Sequence, residues 1–485
     1  MQYAPVDSVL FCFFGNAGSF AEMRNIVFFK GAQQRKNEDK KRTEKEKICS
    51  NMCCFVLPFV IKNWYTDKYK EKHKEEPLFM KKLLAMVLAL VLLAGSALAA
   101  ETVSGKANIP VIENVKQFEL PESEALSFVQ DMKIGWNLGN TFDATFWAGY
   151  NQNELAIEKG WCGVYTTREM IQAVHDAGFN TIRMPVSWHD HMDKETFAVS
   201  EAWLNRVQEV VDWAMELDMY LILNSHHDMV QGYCFPTAAE YENSEKFMKT
   251  LWSTLAERFK DYDHHLIFES MNEPRMVGSA YEWSYNKIMP DCIESADCIN
   301  KLNQVFVDTV RQSGGNNADR YLMVPGYAAN PDNVIGEWFK MPEDTADNKI
   351  IISVHAYTPY NFALAAGGKN TFDNTLPGDT TEIATFMNRL YKKYIVNGIP
   401  VVIGEFGARN KGNNLQDRVN FAAYYIAAAT ARGMTCCWWD NNGFTGNGEL
   451  FGIFDRKKME WPTYDIVLAM MHYCDYDAIP PKPEQ

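Results

Sequence analysis

From residue 133 onward, short apolar runs alternate with longer stretches whose apolar residues recur every three or four positions. The short runs read as strands at Lys133–Leu138, Thr181–Met184, Met219–Leu223, Leu266–Phe268, Tyr321–Val324, Ile350–Val354, Val401–Ile403 and Met434–Trp438. Near-continuous apolarity is what parallel strands covered on both faces require. The longer stretches read as helices. The first is capped by Thr166 or Thr167 and runs through Ala177 to a stop at Gly178. Others are Trp203–Glu216, Ser244–Phe259, Asn300–Gln312, Ile383–Tyr394, Arg418–Arg432 and Tyr464–Met471. Eight strands, each followed by a helix or by room for a crossover, predict an α/β fold, the (β/α)8 TIM barrel. A doubly wound sheet is the alternative. It rarely supplies polar residues from so many strand ends, and no glycine-rich turn follows the first strand to hold a dinucleotide.

In a barrel, chemistry gathers where polarity breaks out at the carboxyl ends of the strands. The break is sharpest at Ile267–Arg275, where Glu269, Ser270, Asn272 and Glu273 follow an apolar triplet and Pro274 blocks continuation. Val401–Arg409 has the same character and delivers Glu405. Two carboxyls at strand ends, 132 residues apart in sequence, suggest the paired acids of glycoside hydrolysis. Other strand ends supply Arg183, the group Asn224, His226, His227 and Asp228, the pair His355 and Tyr357, and Trp438, Trp439 and Asp440. Singly, each has a packing explanation. Gathered at one end of successive strands they do not, because buried polar groups need partners.

Each type suits a step of the reaction. One carboxyl must donate a proton to the leaving oxygen while the other attacks as the anion. The Asn272 amide can hold a sugar 2-hydroxyl, and His355 and Tyr357 share one side of an extended segment, where they can orient the nucleophile. Arg183 can keep Glu405 ionised. Aromatic residues Phe142, Phe146, Trp147, Tyr150 and Trp161 fall in the first strand-to-helix loop, and Tyr360 and Phe362 follow the sixth strand. Their flat faces suit pyranose rings, or else they form a small satellite core under the loops.

Met80–Ala99 has two lysines, an apolar core and an Ala-Leu-Ala ending, the pattern of a secretory signal rather than of a membrane span. A retained anchor is the alternative. Its distance from Met1 suggests that Met80 is the true start and that residues 1–79, without periodicity, are upstream sequence; a small domain or cytoplasmic tail is the other reading. The expected order is then an exposed lead-in over 100–117, a catalytic barrel over 118–475 and a tail over 476–485. Residues 1–99 hold 16 of 47 basic and 10 of 62 acidic residues, so the remainder carries a charge of about −21. Such a surface repels nucleic acid and anionic membranes but not a neutral polymer. Seven of 11 cysteines follow the signal, of which Cys292 and Cys298 could form a local disulfide. The absence of CxxC and HExxH argues against structural zinc.

The motifs GWNLGNTFDA (Gly135–Ala144, with Asn140), IRMPVSW (Ile182–Trp188), LNSHHD (Leu223–Asp228) and FESMNEPR (Phe268–Arg275) stand in this order. VHAYTPY (Val354–Tyr360), GEFGAR (Gly404–Arg409) and WWDNN (Trp438–Asn442) follow them. Over about Phe118–Tyr473 the chain resembles glycoside hydrolase family 5, most closely the endoglucanases and xyloglucanases of subfamily 4. The resemblance implies a retaining β-1,4-glucanase acting as a monomer on β-glucan, without metal or cofactor, with xyloglucan or mixed-linkage glucan as alternative substrates. It makes Glu273 the acid/base and Glu405 the nucleophile, supported by Arg183, His227, Asn272, His355 and Tyr357. It also implies that one of Trp438 and Trp439 stacks beneath a sugar. His226, Asp228, Asn140, Trp147, Trp161 and Tyr360 complete the expected sugar-binding set. Two positions depart from the family pattern: Asp228 where glutamate is common, and Asn442 where glycine is usual.

The export reading is checked by amino-terminal sequencing of the secreted protein, expected to start at or near Ala100; any residue from 1–79 in the mature chain would overturn it.

Overall fold

The computed structural model of the protein describes residues 101–102, 105–146 and 153–482. The expected signal, the segment before it, Trp147 and Tyr150 all lie outside these residues. Eight parallel strands close a barrel in chain order. They are β1 (Ile134–Leu138), β2 (Thr181–Met184), β3 (Tyr220–Asn224), β4 (Leu266–Glu269), β5 (Leu322–Pro325), β6 (Ile350–His355), β7 (Val401–Phe406) and β8 (Thr435–Asp440). The helices that follow them are α1 (Arg168–Asp176), α2 (Glu201–Met215), α3 (Tyr241–Arg258), α4 (Pro290–Gln312), α5 (Pro331–Ile335), α6 (Pro377–Lys393), α7 (Leu415–Thr430) and α8 (Tyr464–Tyr473). The α1 cap is Thr167, whose side chain accepts the Met170 N–H. Among the described residues, no helix is long and apolar enough to cross a membrane.

Successive residues of each strand point alternately in and out, which splits the barrel interior into layers. Ile222, Ile267, Met323, Ile351, Val402 and Cys437 form an apolar layer, packed against Ala125, Val129 and Met132 from the helix Glu124–Asp131 and its cap. That helix plugs the amino-terminal mouth and is not among the elements expected from the sequence. Two positions further along the strands the same inward parity delivers Asn224, Glu269, Ser353 and Trp439. The outward residues join the apolar shell under the helices, each fully buried large side chain contributing on the order of 1.5–3 kcal/mol. Gly135 has to be glycine: a Cβ there would lie 2.4 Å from Cys437 Sγ.

Helices α4 and α6 begin well before the expected Asn300 and Ile383, in both cases at a proline. Proline reads as a breaker in sequence, yet its fixed φ and missing N–H suit the first turn of a helix. The lead-in is not simply exposed: Ile112 and Val115 are buried, and the Ile112 N–H donates to Tyr473 Oη at 3.0 Å. The tail also packs, with Ile479 buried. Cys292 and Cys298 lie on one helix on different faces, which excludes a bond between them. All seven cysteines from Cys162 onward are free.

Candidate active site

The polar end of the barrel is assembled on one guanidinium. Arg183, on β2, is fully buried. Its Nε donates to Glu269 Oε2 at 2.8 Å, Nη1 to Asn137 Oδ1 at 3.0 Å and Glu405 Oε1 at 2.8 Å, and Nη2 to Asn272 Oδ1 at 2.7 Å. Four elements are therefore fixed by one planar donor array. Two of the partners, Asn137 and Glu269, are not among the expected site residues. Both occupy inward positions of β1 and β4, a parity signal that sequence contains once the strand register is known. Asn137 also donates to the main-chain oxygen of Gly404 at 2.9 Å. Glu269 takes a further bond from Ser353 Oγ at 2.5 Å and one from Asn224 Nδ2 at 3.1 Å. Gly404 leaves room for this array, since a Cβ would lie 3.1 Å from His355 Nε2 and 3.3 Å from Arg183 Nε.

Glu405 faces the mouth through an irregularity in its strand. Strict alternation after Val402 would put Gly404 and Phe406 inside and Glu405 outside. Strand β7 shifts register against β6 between Val354 and His355, and against β8 between Ile403 and Phe406. Glu405 then points in, and Phe406 packs outward on Tyr425 and Trp438. Such irregularities re-aim single side chains beside active sites.

The two candidate acids meet across His355. Its Nδ1 lies 2.9 Å from Glu273 Oε1 and 3.7 Å from Glu405 Oε1. One oxygen of each carboxyl and a ring nitrogen of His355 all lie within 4.8 Å of one another. Tyr357 Oη donates to Glu405 Oε2 at 2.9 Å. Burial pushes the Glu405 carboxyl up and Glu273's charge adds to this, against the pull of His355, Arg183 and Tyr357. Burial acts on Glu273 too, but the His355 bond and the charges of His355, Arg275 and His227 hold it below the usual carboxylate range. Burial also raises the Tyr357 phenol well above its ordinary value, helped by both carboxylates, so it remains a donor.

The third strand supplies a histidine pair. Burial holds the His226 imidazole well below its usual value and brings His227 down to about 4. His226 stacks parallel to Trp439, with 5.8 Å between ring centres, and Trp161 lies 5.8 Å from His227. Asp143, His226 and His227 present ligand atoms within 4.8 Å of one another, as do Glu273, His355 and Glu405. Among the described residues, these are the two groups in the mouth whose spacing could hold a metal ion. The Glu273–His355 hydrogen bond accounts for part of the second group's spacing, and the Asp143 carboxyl already accepts main-chain bonds from Thr141 at 2.6 Å and Asn140 at 3.0 Å.

Several expected sugar contacts are corrected. Trp438 is 0% exposed, on the outward parity of β8 against Phe406 and with its Nε1 bonded to the Phe451 oxygen. Trp439, on the inward parity, is the tryptophan that faces the mouth. Asp228 is fully buried, accepting from the main-chain N–H groups of Trp188 and His189 and from Ser225 Oγ, and lies 2.9 Å from His189 Nδ1. Its short carboxylate pins the loop after β2 and has no oxygen left exposed for sugar. Phe142 and Phe362 are core residues, and Phe146 packs on His191. Asn140 has a left-handed backbone (φ 56°) and its N–H is bonded to Asp143, so its evident work is in the turn. Asn442 is also left-handed (φ 55°), which explains why glycine suits that position and why asparagine can replace it. Trp161 (40% exposed) and Tyr360 (62%) remain open to a ligand.

The family model for cellulase (glycosyl hydrolase family 5) matches residues 139–445. Endoglucanase A of Clostridium longisporum is 41% identical over 353 residues; the match takes in 72% of this chain and 65% of that relative, just under two thirds of its length. A lichenase of glycoside hydrolase family 5 from Caldicellulosiruptor sp. F32, solved as a mutant complex with cellotetraose, is 54% identical with a TM-score of 0.75, covering 76% of this chain and 100% of that one. A broad-specificity endoglucanase of subfamily 4 from Ruminococcus champanellensis, with bound cellotriose, is 40% identical with a TM-score of 0.67, covering 73% and 100%. A barrel whose mouth holds paired carboxyls, matched by relatives of this kind, is a glycoside hydrolase. The chain belongs to the cellulase family, glycosyl hydrolase family 5, and its solved neighbours include subfamily 4 endoglucanases.

Asp143 makes the electrostatics of this mouth measurable. Burial raises its carboxyl to about 7, against three main-chain hydrogen bonds and the Arg456 charge. A folded-state value above the unfolded one means that its contribution to stability is full below about pH 4 and is lost as pH rises through about 7. Asp143→Asn is therefore expected to flatten the decline in unfolding free energy between those limits, read by urea denaturation at several pH values. An unchanged slope would refute a buried, protonated Asp143.

Proposed function

We propose that this protein is an exported endo-β-1,4-glucanase that works by double displacement, with Glu405 as nucleophile and Glu273 as acid/base. The observation that carries the reading is the carboxyl pair, whose nearest oxygens lie within 4.8 Å. Retaining enzymes set their carboxyls about 5–5.5 Å apart, whereas inverting ones need about 6.5–9.5 Å to admit water. The partners of each acid support its role. Glu405 is bonded to Arg183 and Tyr357, donors that hold a carboxylate in place for attack on the anomeric carbon. Glu273 is held by His355 Nδ1 alone at 2.9 Å, without the Arg183 and Tyr357 donors that bind Glu405.

Burial and the Glu273 charge raise the Glu405 carboxyl, while His355 and Arg275 lower that of Glu273; a bound glucan opposes both directions. Its leaving oxygen displaces solvent from Glu273 and raises that carboxyl, while the positive charge developing at the anomeric carbon favours the Glu405 anion. Glu273 protonates the leaving oxygen as Glu405 forms the ester. Once Glu405 is esterified its charge no longer repels Glu273, which then takes a proton from the attacking water and completes retention. Asn272, fixed by Arg183, is positioned for the 2-hydroxyl of the reacting sugar, and Trp439, backed by His226, for its apolar face. A second reading, a mixed-linkage β-glucanase with the same mechanism, is favoured by the 54% identity to the Caldicellulosiruptor lichenase.

Glu273→Ala is expected to lower kcat on polymer by a factor on the order of 10²–10⁴ and to spare activated aryl glycosides more. Azide should give a retained glycosyl azide with Glu273→Ala and an inverted one with Glu405→Ala; the opposite stereochemistry in both would exchange the roles. Substrate choice is read from initial rates on carboxymethyl cellulose, mixed-linkage β-glucan, xyloglucan, xylan and mannan. Internal cleavage is expected of mixed-linkage β-glucan and of cellulose or xyloglucan, with mannan nearly untouched. Release of single sugars faster than loss of viscosity would reject endo action.

A further inference from the structure

One buried acid beneath the mouth takes no part in the steps above. Glu269, on β4, is 0% exposed and cannot touch a sugar. Its Oε1 accepts the Ser353 hydroxyl at 2.5 Å, and its Oε2 accepts Arg183 Nε at 2.8 Å and Asn224 Nδ2 at 3.1 Å. Arg183 thus carries one positive charge between two carboxylates, Glu269 at Nε and Glu405 at Nη1. Burial works against that charge, and Glu269 first and Glu405 second more than offset it. The other titratable groups around Glu405 are Glu273 beyond β4, His355 on β6, Tyr357 beyond it, and Cys437 on β8. Glu449, after β8, faces Tyr357. Burial pushes the Cys437 thiol up to about 12, so it adds no charge at neutral pH. From β3 come the Asn224 amide and, beyond it, His226, whose imidazole burial holds well below its usual value.

The two half-reactions ask opposite things of Glu405. In the first, a Glu405 oxygen bonds to the anomeric carbon as the bond to the leaving oxygen breaks; that oxygen keeps the electron pair and takes the Glu273 proton. In the second, water bonds to the same carbon and gives a proton to Glu273, while the ester bond breaks and its electron pair returns to Glu405. A cation bonded to Glu405 at full strength stabilises the free anion, which weakens its attack and eases its departure. Sharing that cation with a second carboxylate moves both effects back. The division of Arg183 between Glu269 and Glu405 sets the balance, and Ser353 and Asn224 hold Glu269 where it can take its share.

We propose that Glu269 is a positioning residue that acts through Arg183: by taking part of the guanidinium's charge it keeps Glu405 reactive as a nucleophile and slows its departure. The proposal rests on the double-displacement reading above and adds to it the residue that balances the two half-reactions. Glutamine isolates the effect. Its amide oxygen can accept from Arg183 and Asn224, and its NH2 can donate to the Ser353 hydroxyl, which accepts as well as donates. Glu269→Gln therefore removes a charge and keeps the bonds.

The experiment uses the full chain and dinitrophenyl β-cellobioside, whose leaving group needs no proton from Glu273, with rapid-quench separation of the burst from the steady state. In Glu269→Gln the burst rate is expected to fall several-fold, while the steady-state rate, set by hydrolysis of the ester, holds or rises. The acidic limb of kcat/KM, which reports the nucleophile of the free enzyme, should move to lower pH by about one pH unit. Ser353→Ala disturbs the same cluster but keeps the charge, so its acidic limb should stay with wild type, whatever it does to the rate. A limb and a burst-to-steady-state ratio unmoved in Glu269→Gln overturn the proposal, and so does an equal shift in both variants. Should Glu269→Gln not fold, Glu269→Asp and Glu269→Asn give the same comparison one methylene shorter. Wild type that forms no covalent adduct on Glu405 with a 2-deoxy-2-fluoro-cellobioside would refute the double-displacement reading itself, a result distinct from a trapped adduct with an unmoved limb.

Discussion

The site depends on a single buried cation. Arg183 has no contact with water and must be matched by acceptors on every side, and the chain provides them from β1, β4, the segment beyond β4 and β7. Breaking a buried ion pair by removing one member commonly costs about 3–5 kcal/mol, because the other charge is stranded. The same requirement fixes geometry. Each of these strands can sit only where its acceptor meets the guanidinium, so Asn272 and Glu405 are placed by a structural need before any sugar arrives. Glu269 has a quieter part: it takes up a share of the Arg183 charge, which leaves Glu405 incompletely neutralised and still sensitive to its other neighbours.

The barrel divides its interior to make this possible. Below, an apolar layer sealed by the helix Glu124–Asp131 excludes water. Above it, five of the eight next inward positions are polar, Asn137, Arg183, Asn224, Glu269 and Ser353, and they bond to one another. Two residues of rise along each strand therefore separate a region that contributes hydrophobic stability from one that supplies electrostatics at low dielectric.

Much of this is legible in the sequence. The strands are visible because residues covered on both faces must be apolar throughout, and the acids because polarity at a strand end has no packing explanation. Parity is harder to see. Choosing between Trp438 and Trp439 requires knowing which face of β8 looks inward, and an apolar run conceals that. The pairing of β8 with β1 and β7, combined with the inward Cys437, decides it. Asp228 misleads for a related reason: a carboxylate beside two histidines looks like chemistry until the loop after β2 is seen to wrap around it. Helices α4 and α6 read too short in sequence because a proline's meaning depends on whether it falls before, at or after the first turn.

The register shift in β7 has a genetic reading. Between Ile403 and Phe406, side-chain identity matters less than how many residues intervene. Run straight, the same residues would turn the Phe406 ring into the catalytic mouth and drive a carboxylate into the greasy jacket beneath α7. Deleting or adding one residue would straighten the strand and let Glu405 keep its facing, but would move it along the barrel by about 3.3 Å, the rise of one residue in a parallel strand. A hydrogen bond to Arg183 does not survive such a step. Substitutions in this strand can be graded from mild to severe; changes of length cannot. Recombination or domain shuffling across it would preserve a working enzyme only where the crossover keeps the count.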